Sequence, residues 1–232
     1  RLLSSAASDV YKRQEFAQEL ASAPLVHQPG EKWTYGVGMD LLGCIIEKVS
    51  GMTFGNFMKE NIFDPLGMKD TSFAVPESEI NRFTSMYTHK GASVGDIQRE
   101  FNDEIFPDDL ILMDSYEESP YLKTNKVEDG GSGLISTAED YLKFGQMLND
   151  RGSFEGKTIL SEEAFKMLSE SYIEDFGLLG IVSLGVGQAI CMAKISNPAF
   201  SQFYQSEGSL FWGGAASTIF WADPVEDIVL VH

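Results

Sequence analysis

Apolar residues recur along this chain with two different periods, and the change between them decides the class of fold open to it. Leu41, Leu42, Ile45, Ile46 and Val49 follow the three- and four-residue spacing of one helix face, and Gly51 stands where a left-handed residue ends such a helix. From residue 184 onward the period falls to two: stretches 184–192, 209–215, 218–222 and 228–231 read as successive strands, with Asp223-Pro224 as a turn. Other helical signals lie before that change. Residues 15–21 read as the end of a helix, and Thr53 as the cap of a short helix reaching Glu60 and ending near Pro65-Leu66-Gly67. Ser136 with Glu139 reads as a capping box for a helix carrying Ala138, Tyr141, Leu142, Gly145 and Leu148, and a further helix follows Ser161. Helices in the middle and antiparallel strands at the end predict an α+β architecture.

Charge narrows the partners. With 17 Lys and Arg against 35 Asp and Glu, the 232 residues carry a net charge of −18 and lack the basic face that a phosphate-neutralising protein needs, so nucleic acid is not expected. No window holds the roughly 18 uncharged apolar residues of a membrane-spanning helix. Nine acidic residues between Asp96 and Glu118, against Arg99 alone, mark a solvated loop or lid. Asp103, Asp108 and Asp109 within it do not have the spacing of a known calcium loop. Cys44 and Cys191 sit in apolar runs and read as small buried hydrophobes rather than a disulfide or a metal site. The opening RLLSSAASDVYKRQ resembles read-through of sequencing adapters, so residues 1–14 are set apart as a non-native segment. His232 falls inside a strand-like pattern, and both ends read as cut; export and oligomeric state stay open.

Three segments carry chemistry. In Pro29-Gly30-Glu31-Lys32-Trp33-Thr34-Tyr35 a turn delivers a tyrosine just before the long helix, where the positive end of the helix dipole favours a phenolate; the plain alternative is an aromatic that packs. In Phe211-Trp212-Gly213-Gly214-Ala215-Ala216 two adjacent glycines interrupt a strand, which marks either a bulge at a sheet edge or a place where backbone N–H groups meet an oxyanion. Asp129-Gly130-Gly131-Ser132-Gly133 lacks the Gly-Lys-Ser/Thr ending of a phosphate loop and the fifth-place glycine of a nucleophile elbow, and reads as a tight entry to the following helix with Ser132 exposed.

Taken together, these segments resemble the serine β-lactamase-related family, which includes class C β-lactamases, family VIII esterases and penicillin-binding-protein-like hydrolases. PLVHQPGEKWTYGVGMDLLGCIIEKVSGMTFGNFMKENIFDPLGMKDTSF is similar to the stretch holding the family's second motif, GGSGLISTAEDYLKFGQMLNDRG to its glycine-rich segment, and FWGGAASTIFWADPVEDIVLVH to its third-motif strand and the strand after it. The resemblance implies a β-lactamase/transpeptidase-like fold, with residues 15–232 forming part of one hydrolase domain. It implies an acyl-serine reaction on a small-molecule ester or amide, without a cofactor. By motif, Tyr35 becomes the general base or proton shuttle, Trp212, Gly213 and Gly214 line the substrate side, and the N–H of Ala215 becomes the oxyanion donor.

Two departures from the family pattern bear on the substrate. Val37 stands where β-lactamases have Asn, and Trp212-Gly213-Gly214 where they have Lys-Thr-Gly, so the groups that grip a β-lactam's amide and carboxylate are missing and esterases fit better. No serine has a lysine three residues on; Ser119 with Lys123 and Ser153 with Lys157 miss by one. In the family that motif lies upstream of the tyrosine, so this polypeptide alone is expected not to turn over substrate. His27, His89 and His232 offer no Ser-His-Asp arrangement, and no metal motif is present. The alternatives are a non-catalytic relative that binds a peptide or cell-wall fragment, and a true β-lactamase or D-Ala-D-Ala peptidase.

Overall fold

In a computed structural model of the chain, the described residues are 13–89, 110–123, 128–174, 177–178, 181–182, 184–201, 203–214, 216 and 218–232. Residues 1–12, most of the acidic stretch with Asp103, Asp108 and Asp109, and Ala215 lie outside them.

Helix α1 (Arg13–Ser22) begins inside the segment set apart from the sequence, and its Arg13 is buried against α2 (Gly38–Ser50). Arg13 pairs with Glu47 at 3.3 Å, lies over the Phe54 ring and donates to the Glu128 carbonyl. Gly43 makes room for it, since a Cβ there would meet Arg13 Nη1 at 2.5 Å. Gly51 ends α2 in the left-handed conformation at φ 72°, as its position predicts. Leu42, Ile45 and Val49 of α2 nevertheless point outward, Val49 being 82% exposed.

Thr53 caps α3 (Phe54–Met58) by accepting the Asn56 N–H. The chain then runs on through a π turn (Lys59–Phe63) into α4 (Asp64–Leu66), where Gly67 at φ 68° stops it. The wide turn receives Pro65, which has no N–H to contribute to a tighter ladder. A 3₁₀ turn (Glu77–Arg82) leads to the ribbon of β1 (Met86–His89) and β2 (Leu110–Asp114), whose Leu110, Ile111, Leu112 and Met113 are all exposed.

Helix α5 (Ala138–Asn149) forms where the apolar spacing predicts, with a different cap. Thr137 accepts the Asp140 N–H at 3.2 Å, while Ser136 bonds to Thr71 Oγ1 at 2.7 Å. Ser136 is thus taken by a long-range partner that local spacing cannot reveal. The buried Asp140 accepts from Asp70 N, Thr71 Oγ1 and Lys143 Nζ, which fastens the loop after α4 to the start of α5. After it come the short pair β3 (Ser153–Phe154) and β4 (Lys157–Thr158), α6 (Glu162–Ser169) capped by Ser161, and a second short pair, β5 (Gly177–Leu178) and β6 (Ile181–Val182).

Of the stretch 184–192, expected to be one strand, only 186–188 is extended. Strand β7 (Val186–Gln188) ends at a turn in which the Ala189 N–H donates to Met192 O and Cys191 takes φ 64°, and β8 (Ala193–Ile195) runs back beside it. Cys191, expected to be buried, is exposed on that turn, and Cys44 is half-buried. Strands β9 (Leu210–Gly213), β10 (Ile219–Asp223) and β11 (Ile228–Val231) follow the sequence expectation closely. All five pair antiparallel in the order β11-β10-β9-β8-β7.

One face of this sheet carries the core. Leu210, Phe220 and Ala222 pack against Met147 and Leu148 of α5 and against Phe63, Leu66 and Met68 from the α3–α4 region. Each of the Leu, Phe and Met side chains among them contributes about 1.5–3 kcal/mol on burial. Gly145 brings α5 close to β11: a Cβ there would meet Val229 Cγ1 at 2.5 Å.

Candidate active site

Tyr35 stands on a short segment held at both ends. Before it, the Glu31 N–H donates to Gln28 O, with Gly30 at φ 86°, and His27 Nε2 pairs with Thr34 Oγ1 at 2.7 Å. After it, the Asp40 and Leu41 N–H groups bond to Val37 O and start α2. The ring meets Trp33 edge-on at 6.2 Å between centroids and remains 54% exposed. An aromatic there for packing alone would be expected to bury more of its surface.

The paired glycines end β9. Strand β9 is central in the sheet, but its pairing with β8 stops at Ala193↔Phe211, whereas its pairing with β10 continues to Ile219↔Gly213. The strand therefore runs past β8 at its glycine end. Gly214 donates its N–H to Thr218 O at 2.7 Å, so that donor is already used within the turn. A Cβ on Gly214 would meet Thr218 Oγ1 at 2.3 Å, a clash that rotation of the exposed threonine side chain can relieve; Gly213 is open, with nothing nearer than 3.7 Å. Trp212 is partly buried against the helix-packed core face. Ala215, the expected oxyanion donor, lies outside the described residues.

A sulfur contact joins the two segments. Met39 Sδ, four residues after Tyr35 and in the first turn of α2, lies 3.4 Å from Cys191 Sγ. Cys191 precedes by two residues the Ala193 that pairs with Phe211, itself two residues before Gly213. The helix start that follows Tyr35 thus abuts the end of the sheet where β9 carries its glycines.

The glycine-rich loop completes this corner, through Asp40, which the sequence did not single out. Gly131 donates its N–H both to Asp40 Oδ1 at 3.0 Å and to Asp129 Oδ1 at 2.7 Å, and Ser132 Oγ donates to Asp129 Oδ2 at 2.9 Å. Gly130 sits directly on α2, where a Cβ would meet Met39 O at 2.4 Å. The two carboxyl groups thus converge on one amide. Burial first, then the bond to Asp129 and its charge, push Asp40 up to about 6. Burial works against ionised Asp129 as well, but its bonds with Asp40, Gly131 and Ser132 outweigh it and hold the carboxyl below the usual range. The pair thus titrates as a unit and keeps one proton to near pH 6. Ser132 is exposed, as expected, and serves as a donor within the loop.

Neither near-miss serine forms a nucleophile. Ser119 is buried, donates to Asp114 Oδ2 at 2.7 Å and caps a 3₁₀ turn (Pro120–Leu122); Ser153 lies in β3 with its backbone paired to Thr158. His27 is occupied by Thr34 and Gln28, and the His232 backbone pairs with Ile219. Among the described residues no group of three or more His, Cys, Asp or Glu is arranged to hold a metal ion, and no helix is long and apolar enough to cross a membrane.

Over most of its length the chain is similar to known proteins. The chain is 30% identical over 240 residues to protein Rv1367c of Mycobacterium tuberculosis, covering 97% of this chain and 56% of that protein. It is 26% identical over 211 residues to esterase EstB of Burkholderia gladioli, covering 90% and 51%. Among solved structures, EstCE1, a hydrolase with promiscuous acyltransferase activity, superposes with a TM-score of 0.75 at 21% identity over 96% of this chain and 56% of its own. The octameric penicillin-binding protein homologue from Pyrococcus abyssi gives 0.61 at 23% identity over 95% and 43%. The chain therefore has the β-lactamase/transpeptidase-like α+β fold and spans about half the length of these relatives. A family model described as beta-lactamase matches residues 2–232, and the chain belongs to that family.

Proposed function

We propose that this chain is the tyrosine-bearing and third-motif portion of a serine hydrolase that cleaves small esters or amides through an acyl-serine. The carrying observation is the junction of Met39 with Cys191, which sets the segment of exposed Tyr35 against the glycine end of β9. In this reading a serine from a Ser-x-x-Lys motif outside the present sequence attacks the carbonyl, and the lysine and Tyr35 move its proton to the leaving group. Ala215 N–H holds the oxyanion, a role that the already bonded Gly214 N–H is not free to take. Trp212, Gly213 and Gly214 line the acyl side. Water then releases the acid.

Trp212-Gly213-Gly214 in place of a lysine-bearing motif, and Val37 in place of an amide side chain, favour uncharged esters over β-lactams. The similarity to esterase EstB supports the same preference. The 232 residues alone contain no Ser-x-x-Lys and are expected to leave p-nitrophenyl butyrate unhydrolysed. A longer polypeptide carrying that motif ahead of residue 15 is expected to hydrolyse it and to leave nitrocefin nearly untouched. Turnover by the 232-residue chain, or a preference for nitrocefin in the longer one, would refute this assignment.

A further inference from the structure

The glycine-rich loop and the first turn of α2 meet through two acids instead of an acid and a base. Aspartates 40 and 129 converge on one amide, Gly131 N–H, at 3.0 and 2.7 Å, which brings their carboxyl groups side by side. Two ionised carboxylates would repel across such a gap, so the contact needs a proton between them. The rest of the junction is shaped to the same closeness. Gly130 lies on Met39 O with no room for a side chain, and Gly133 donates to Asp129 O at 3.0 Å, folding the loop tightly around the aspartate. Asp40 is five residues after Tyr35, on the helix turn that anchors the tyrosine segment.

We propose that Asp40 and Asp129 form a carboxyl–carboxylate hydrogen bond that clamps the glycine-rich loop to the start of α2 and thereby sets the position of Tyr35. Both aspartates are positioning residues, and the inference rests on the hydrolase reading above for its functional meaning. Loss of the shared proton to solvent leaves two negative charges at the junction, and the loop and the helix start separate. The surrounding charged and titratable groups have other engagements. Arg13 from α1 pairs with Glu47 of α2 at 3.3 Å; Glu128 accepts the Gly55 N–H at 2.6 Å; the Tyr121 hydroxyl donates to Ser132 O. The Cys44 thiol is turned to the Asp40 and Arg13 carbonyls, and burial raises it further above neutrality.

The test uses the 232-residue chain with ¹³C-carboxyl aspartate and ¹³C-ring tyrosine, followed by NMR from pH 3 to 9, beside Asp40→Asn, Asp129→Asn and Asp40→Ala. The expected result is an Asp40 carboxyl titrating near pH 6, with Tyr35 ring and Gly131 amide resonances moving at the same midpoint. Asp40→Asn should abolish that midpoint and hold the Tyr35 resonances at their low-pH positions, since a carboxamide donates to Asp129 at any pH. Asp129→Asn should return Asp40 toward the ordinary carboxylate range, and Asp40→Ala should displace the Tyr35 resonances at every pH. An Asp40 that titrates like a free aspartate, or Tyr35 resonances indifferent to the pair, overturns the clamp. Should a variant fail to fold, the wild-type titration decides alone. These spectra do not depend on turnover, so failure of the hydrolase reading, seen as an active longer polypeptide indifferent to Tyr35, remains a separate result.

Discussion

Gly130→Ala places one methyl group on the junction between the glycine-rich loop and α2, and the structure supplies its consequence in distances. The new Cβ would lie 2.4 Å from Met39 O and 2.9 Å from Met39 C, where ordinary contacts begin at 3.4 Å. The clash is with backbone, so no rotamer change relieves it; the loop must retreat by about 1 Å. The Gly131 N–H bond to Asp40 Oδ1, 3.0 Å long, would then stretch to a distance at which it no longer counts as a hydrogen bond. Overpacking of this kind costs about 1–3 kcal/mol. In a domain of this size each kcal/mol lowers Tm by about 2–4 °C, so a fall of roughly 2–12 °C is expected in thermal melts followed by circular dichroism. Gly131→Ala is the control. Its Cβ would meet only carboxylate oxygens of Asp40 and Asp129, at 3.3 and 3.4 Å, and side-chain atoms can yield by that amount. Both substitutions restrict the unfolded chain equally, by about 0.4–1 kcal/mol, so the difference between them isolates the clash. Equal melting temperatures would refute the docking of Gly130 on Met39.

Three further outcomes follow. Tyr35→Phe should leave the unfolding free energy within about 0.5 kcal/mol of wild type, because the ring is exposed, yet lower kcat of the longer polypeptide by about 10²–10⁴-fold on p-nitrophenyl butyrate. Thr137→Ala should cost about 1 kcal/mol in urea unfolding by removing the acceptor of the Asp140 N–H, while Ser136→Ala leaves the α5 cap intact. Stability should peak near the usual aspartate value of 3.8. Between 3.8 and about 6 the folded pair holds one proton that the unfolded chain has lost, so stability declines as pH rises across that interval and levels off above about 6; below 3.8 the unfolded chain gains a second proton that folded Asp129 resists, so stability declines there as pH falls. With Asp40 only half-buried, screening reduces the alkaline limb to about 1 kcal/mol, and Asp40→Asn should flatten it in urea titrations.

Periodicity and caps made much of the fold legible. The helix ending at Gly51, the Thr53 and Ser161 caps and the last three strands needed only local information. The turn between β7 and β8 was not legible, because it is made by Ala189, Ile190, Cys191 and Met192, none a turn former, with Cys191 forced to positive φ. The same turn explains why Cys191, though set in an apolar run, is exposed. Ser136 misled because its hydroxyl goes to Thr71, 65 positions away. In the site, the tyrosine and the glycine pair stood out as local oddities, but the aspartate pair did not. Gly131 and Asp40 are 91 positions apart, and the sole local hint was an aspartate opening a run of glycines, a pattern equally suited to an ordinary turn.

The central claim is that Tyr35 and the end of β9 serve one acyl-transfer site, and a trapped adduct measures it most directly. The crystal structure of a longer polypeptide carrying a Ser-x-x-Lys motif ahead of residue 15, inactivated by a p-nitrophenyl alkylphosphonate, should show phosphorus bonded to that serine. The phosphonyl oxygen should lie about 3 Å from Ala215 N, and the Tyr35 hydroxyl about 3 Å from the serine oxygen. An adduct on that serine with Tyr35 and Ala215 both beyond hydrogen-bond reach, or covalent labelling at some other residue, would contradict it.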